Sequence, residues 1–248
     1  MPPVSSLHNP TIKLIRSLAE KKYRQETGLF VAEGTKVLDR ARQLGRVPEM
    51  LLTVGLAQPW GSVKILEVTP GVMAALSSRN NPPTTLGIFR QKWQPLVEPT
   101  GLWLLLEDMR DPGNLGTIIR TADAAGAAGV ILAGNSCDPW SRECVRATMG
   151  SIFAVPLVCM SAADSIDLCR SWPGESAGAH IQATEDFRRA YREPTLVVMG
   201  SEGRGLSSEL SESCSTLVRI PMHEGPDSLN VGVAAGLMLF EVRRSLRG

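Results

Sequence analysis

Metal-binding and redox-active side chains are scarce in this chain of 248 residues. There are three scattered histidines (His8, His180 and His223) and five cysteines (Cys137, Cys144, Cys159, Cys169 and Cys214), with no C-x-x-C pair. A disulfide framework and a tetrahedral zinc site are both disfavoured, so no metal is expected. The longest apolar run, Leu102 to Leu106, is far below the roughly 20 residues that span a bilayer. Met1 to Pro10 has no charged-then-apolar leader. The expected setting is a reducing cytoplasm, without a membrane partner. No internal repeat or low-complexity tract is present.

Lysine is absent from more than half of the sequence. All six (Lys13, Lys21, Lys22, Lys36, Lys64 and Lys92) precede residue 100. Residues 1–99 hold 13 basic against 7 acidic side chains, a balance of +6, and residues 100–248 hold 13 against 18, a balance of −5. The asymmetry suggests two units, the first meeting a polyanion, although a solvated basic face fits the charges equally well. The proline-bearing stretch Gln91–Gly101 divides them, giving domains over 1–95 and 100–248.

In the first unit, Asn9-Pro10 starts a helix that Gly28 ends. Strands are expected at Leu29–Val31, Met50–Val54, Val63–Val68 and Thr84–Phe89, with helices over Thr35–Leu44 and Pro70–Leu76. In the second, strands are expected at Leu102–Glu107, Gly129–Ala133, Val155–Met160, His180–Ala183, Leu196–Met199 and Leu217–Ile220. Without strict alternation and spaced by helices, they predict a parallel sheet covered on both faces. The last helix, Leu229 to about Arg243, is apolar almost all round and should be buried on several sides, by the sheet and by a second subunit.

Ligands bind beyond the carboxyl ends of strands in such sheets. Three ends concentrate Gly, Asn and Ser: Asp111–Gly116 with Arg120 one turn into its helix, Gly200–Gly205, and Ile220–Met222 with Ser228–Asn230. The second reads G-x-x-G-x-G, which is neither the dinucleotide fingerprint nor a P-loop. Each also has a structural explanation. Asn114 and Ser228 fit helix caps, Arg120 has Glu107, Asp108 and Asp123 as candidate partners, and Glu202 suits a first-turn carboxylate. Glu107-Asp108 resembles an acid/base dyad, but strand neighbours point to opposite faces.

Taken together, these segments resemble the SpoU (TrmH-type) RNA ribose 2′-O-methyltransferases of the SPOUT class. Asn114–Ala122 is similar to the first family motif, Gly200–Leu206 to the second, and Ile220–Met222 with Ser228–Val231 and Ala234–Gly236 to the third. Arg146–Gly150 with Val155-Pro156 matches a further family stretch, and Phe30–Gly45 is similar to the family's N-terminal domain. Gly232, often Ser in relatives, and Ala125, where an aromatic is frequent, depart from the pattern.

The resemblance implies an α/β fold: a SPOUT-type, trefoil-knotted, mostly parallel sheet with a smaller N-terminal α/β L30e-like domain. It implies a homodimer with an active site completed across the interface, and S-adenosylmethionine as cofactor held by Gly200, Ile220 and Leu229. Asn114 and Arg120 match the reaction-centre pair, and Glu202, Ser228 and Asn230 match residues lining the same site. Arg120 is a phosphate anchor, an alkoxide stabiliser or a proton acceptor. The implied substrate is structured RNA, ribosomal (23S-type) rather than tRNA, and not DNA. The six lysines with Arg16, Arg24, Arg40, Arg42 and Arg46 would meet phosphates, and Tyr23 and Phe30 are candidates to stack on bases.

Overall fold

The computed structural model describes residues 2–56, 58–223 and 228–247. The chain forms two units, and the division is not a single cut: unit 1 comprises residues 1–91 and 138–154, and unit 2 residues 92–137 and 155–248. The excursion 138–154, expected within the domain over 100–248, clusters instead with the first unit.

Unit 1 begins with α1 (Pro10–Ser17), where the Asn9 side chain accepts from Thr11 N at 2.9 Å and Pro10 opens the first turn. The single helix expected to run to Gly28 is broken at Leu18–Glu20, and α2 (Lys21–Thr27) ends at Gly28 in the left-handed conformation. Then follow β1 (Leu29–Glu33), α3 (Thr35–Gln43), β2 (Met50–Thr53), β3 (Lys64–Glu67), α4 (Pro70–Leu76) and β4 (Thr85–Arg90). The sheet order is β1-β4-β2-β3, antiparallel except for the β2–β3 pair.

Strand alternation gives this sheet two apolar faces. Val31, Leu52, Leu86 and Ile88 pack with Ile12 and Ile15 of α1 and Val72 and Met73 of α4. On the other face the buried Phe30 meets Phe89, Trp140 and Phe153 with ring centroids 4.8–5.9 Å apart. Phe30 is therefore core and is not available to stack on a base. Trp140 and Phe153 belong to the excursion, which also carries α6 (Arg142–Ala147). Gly150 ends the Arg146–Gly150 stretch at φ 100°, and a Cβ there would lie 2.5 Å from Arg40 Cβ. Arg24, expected to meet phosphate, is buried. It pairs with Asp138 at 2.7 Å and donates to Leu18 O and Ala19 O.

Unit 2 is a seven-stranded sheet in which every described pair is parallel. Its strands are β5 (Leu102–Glu107), β6 (Gly129–Ala133), β7 (Leu157–Met160), β8 (Glu175–Ala179), β9 (Glu185–Asp186), β10 (Thr195–Met199) and β11 (Thr216–Arg219), in the order β7-β6-β5-β10-β8-β11-β9. All six residues of β5 and all five of β10 are buried, as central strands of a sheet covered on both faces require. The strand expected at His180–Ala183 is not one: pairing ends with β8 at Ala179, and His180 begins the following turn.

Helices α5 (Pro112–Ala125), α7 (Ala162–Ser171), α8 (Ser208–Ser213) and α9 (Val231–Arg247) complete unit 2. Asp111 caps α5, its side chain accepting from Asn114 N at 2.6 Å, so Asn114 is not the cap. Helix α9 buries Val231, Ala235, Met238, Leu239 and Val242. Its opposite face exposes Val233, Leu237 and Phe240, spaced i, i+4, i+7. The all-round burial expected of this helix is thus burial of one face within the chain.

Candidate active site

The strand order reverses between β5 and β10, so the carboxyl ends of β8, β10 and β11 and the start of α9 converge on one edge of the sheet. A cavity of about 340 Å³ lies there, walled by Ala179–Ile181, Met199–Gly205, Val218–Ile220, Met222, Ser228, Leu229, Val231 and Ala234. Of the eight residues singled out from the sequence, Gly200, Glu202, Ile220, Ser228 and Leu229 line it directly.

The turn after β10 is a tight backbone device. Ser201 and Gly205 bridge, with Gly205 N donating to Ser201 O at 3.0 Å. A Cβ on Gly200 would lie 1.9 Å from the carbonyl atoms of Gly205 and 2.2 Å from Leu206 N. Only glycine closes this loop. The closure sends Glu202 to the loop tip, where its Oε1 accepts from Asn114 Nδ2 at 2.7 Å. The Oδ1 of Asn114 in turn accepts from Asn230 Nδ2 at 3.1 Å. Asn230 also caps α9, since its Oδ1 accepts from Gly232 N at 2.9 Å and from Val233 N at 3.3 Å. One side chain from each glycine-rich turn therefore joins a single hydrogen-bonded chain. Ser228, considered as the cap, sits two residues before that position on the cavity wall.

Arg120 is placed differently. It is exposed and does not line the cavity, and its guanidinium makes no hydrogen bond or ion pair with any described residue. Thr117 and Thr121, on the face of α5 that carries Asn114, lie 3.5 and 3.6 Å from the Cβ positions of Gly232 and Gly236 on α9. Six residues beyond Asn114, Arg120 falls off that face. Glu107 and Asp108 are engaged elsewhere. Both Glu107 oxygens are engaged by Ser207, from N at 2.8 Å and from Oγ at 2.6 Å. Asp108, at φ 52°, accepts from Asn135 N at 2.7 Å. These carboxylates hold loops and form no acid/base dyad.

Sequence reasoning missed His180, Ile181 and Arg204 on the cavity wall. The first two escaped because β8 reads Glu-Ser-Ala-Gly-Ala, small residues without the apolar run that marks its neighbours. Among the described residues, no group of three or more His, Cys, Asp or Glu stands together as a metal site, and no helix is long and apolar enough to cross a membrane.

The cavity combines apolar walls (Ile181, Met199, Ile220, Leu229 and Val231) with loop backbone groups and the charged residues Glu202, Arg204 and Arg219. Its volume suits a nucleoside-sized ligand. A parallel α/β sheet with a cleft beyond the carboxyl ends of β8, β10 and β11 is the architecture of the ligand-binding α/β proteins. The chain belongs to the SpoU rRNA Methylase family, whose profile matches residues 101–240; that of the MRM3-like substrate binding domain matches residues 9–87.

Individual relatives agree. An uncharacterized tRNA/rRNA methyltransferase of Synechocystis is 33% identical over 97% of this chain and 93% of its own length. The 23S rRNA (guanosine(2553)-2′-O)-methyltransferase RlmP of Bacillus subtilis is 27% identical over 98% of this chain and 100% of its own. The crystal structure of an AdoMet-bound rRNA methyltransferase from Sinorhizobium meliloti superposes with a TM-score of 0.90 at 41% identity, covering 99% of this chain and 98% of that one.

Proposed function

We propose that this protein methylates a ribose 2′-hydroxyl in structured RNA with S-adenosylmethionine, and that its substrate is ribosomal RNA of the 23S type. The observation that carries the assignment is the hydrogen-bonded chain Glu202–Asn114–Asn230 at the cavity, which joins all three family motifs. The rRNA substrates named for the Bacillus and Sinorhizobium relatives favour rRNA over tRNA. The excess of basic residues before position 100 supplies a surface for phosphates.

When bound, S-adenosylmethionine supplies an electrophilic methyl group on a sulfonium. Gly200, Ile220 and Leu229 would hold it, mainly through backbone groups and apolar contact. Glu202 places a negative charge on the same wall, and Ser228 offers a hydroxyl there. Asn114 holds the Glu202 carboxylate and Asn230 in one orientation, so the turns are preassembled before substrate arrives. The 2′-oxygen must gain negative charge as its proton leaves, which calls for a fixed cation. Arg120 is that cation, anchoring a neighbouring phosphate and stabilising the developing alkoxide. A guanidinium is almost never deprotonated in proteins, which argues against Arg120 as the proton acceptor.

Since Arg120 stands off its own chain's cavity, the proposal includes a homodimer in which a second copy supplies it. The exposed stripe Val233, Leu237 and Phe240 on α9 is the surface we assign to that contact. The trefoil knot of the family and cytoplasmic residence complete the proposal.

The test is incubation with methyl-labelled S-adenosylmethionine and, separately, unmodified rRNA and tRNA, followed by digestion to nucleosides. A labelled 2′-O-methylated nucleoside from rRNA, lost with Arg120→Ala, is the expected result. Label confined to tRNA would overturn the substrate, and no label together with no cofactor binding would overturn the enzyme.

A further inference from the structure

Resting on the RNA substrate proposed above, we propose that unit 1 carries a pocket for one unpaired RNA base, floored by the stacked pair Arg42 and Trp60. A cavity of about 430 Å³ lies between α3, the β2–β3 connection and the α4–β4 connection. The Arg42 guanidinium carbon stands 4.6 Å from the centroid of the Trp60 ring, and Arg42 Nη1 donates to Gln58 Oε1 at 3.2 Å. On its inner side Trp60 meets the buried Phe89 edge-on, with centroids 6.1 Å apart at 70°. The indole is thus anchored to the core while the cavity remains open beside it.

This floor is assembled before any ligand arrives, so little side-chain entropy is lost on binding. Unpaired bases are recognised by stacking on aromatic rings and guanidinium planes, with hydrogen bonds to their free edges. The remaining wall supplies those bonds through Asp39, Asn81 and Thr84. Arg79 also lines the wall, and its guanidinium makes no hydrogen bond or ion pair with any described residue, so it is available to the nucleotide's phosphate. Two arginines against one aspartate give the cavity a net positive charge. A paired helix offers no free base face to stack, so the pocket selects loops, bulges and ends.

Short fluorescent oligouridylate and oligoadenylate strands and an RNA duplex, titrated against the full chain by anisotropy, test this. Trp60→Ala should weaken single-strand binding about tenfold, as the loss of one stacking platform does, and leave duplex binding unchanged. Trp60→Phe should retain most of the affinity. Thermal melting checks that Trp60→Ala folds; if it does not, Arg42→Gln and an abasic strand take its place and should give the same loss. Unchanged single-strand affinity, or equal losses on strand and duplex, would overturn the pocket. Trp60-dependent binding without any methyl transfer would leave the pocket standing and fail the enzyme. Methyl transfer whose KM for RNA ignores Trp60 would do the reverse.

Discussion

Asn114 and Glu202 are 88 residues apart in sequence and 2.7 Å apart in the structure, amide nitrogen to carboxylate oxygen. The contact ties the first helix turn beyond β5 to the loop beyond β10, across two adjacent parallel strands. Replacing Asn114 by Ala removes the donor to Glu202 and the acceptor for Asn230 together. Methyl transfer should fall about tenfold to a hundredfold, ~1.4–2.7 kcal/mol in the barrier. Because the pair is exposed, the unfolding free energy should change by less than about 1 kcal/mol. Steady-state kinetics beside a urea titration separate the two effects.

Gly200→Ala should act the other way round, through the fold. A methyl group there meets the Gly205 carbonyl at 1.9 Å, backbone that cannot swing aside as a side chain can. A loss of about 1–3 kcal/mol in stability is expected, with cofactor affinity falling below detection by calorimetry. Wild-type cofactor affinity in this variant would show that the loop has another way to close.

If the second copy supplies Arg120, activity can be restored by mixing. Arg120→Ala and Asn114→Ala should each show strongly reduced activity alone. A mixed dimer of the two contains one intact composite site, so refolding the pair together should recover activity. Phe240→Glu, which puts a charge into the exposed stripe of α9, should yield a monomer by sedimentation and abolish that recovery.

Within unit 1, Arg24 and Asp138 form an ion pair with both side chains less than 10% exposed. Removing one partner strands the other charge in the interior, which typically costs about 3–5 kcal/mol. Asp138→Ala should therefore lower the urea midpoint of the full chain markedly. Exposed Lys22→Ala, whose 3.9 Å contact with Glu26 lies at the surface, should hardly move it.

Burial pushes the Tyr191 phenol well above its ordinary range, and its hydroxyl donates to Phe187 O at 2.6 Å. The neutral form is favoured in the fold, so the native state keeps a proton that the unfolded chain gives up at a pKa of about 10. The stabilisation is complete below that pH and is lost as pH rises above it, because the unfolded chain then binds fewer protons. Unfolding free energy measured up an alkaline series should fall beyond about pH 10. Tyr191→Phe, which keeps the ring and removes the proton, should shallow that slope.

Elements whose cause is local could be read from the residues. Asn9-Pro10 and Gly28 mark helix ends through their own backbone preferences, and β5, β6 and β10 are dominated by apolar runs that have to be buried on both faces. The turn Gly200–Gly205 was legible for the same reason, since a backbone this tight leaves its glycines in the sequence. Features that depend on distant partners came from the packed fold. Strand β8 carries small residues, and its identity as a strand comes from lying between β10 and β11. Arg24 looks like any surface arginine until Asp138, 114 residues on, removes it from solvent. The return of residues 138–154 to unit 1, and the meeting of Arg42 with Trp60, likewise lack a periodic or compositional trace. At the candidate site the residue types were visible in the sequence, whereas the hydrogen-bonded order Glu202–Asn114–Asn230 and the outward placement of Arg120 follow from which helix face meets α9. Chain topology and packing set that face, not local propensity.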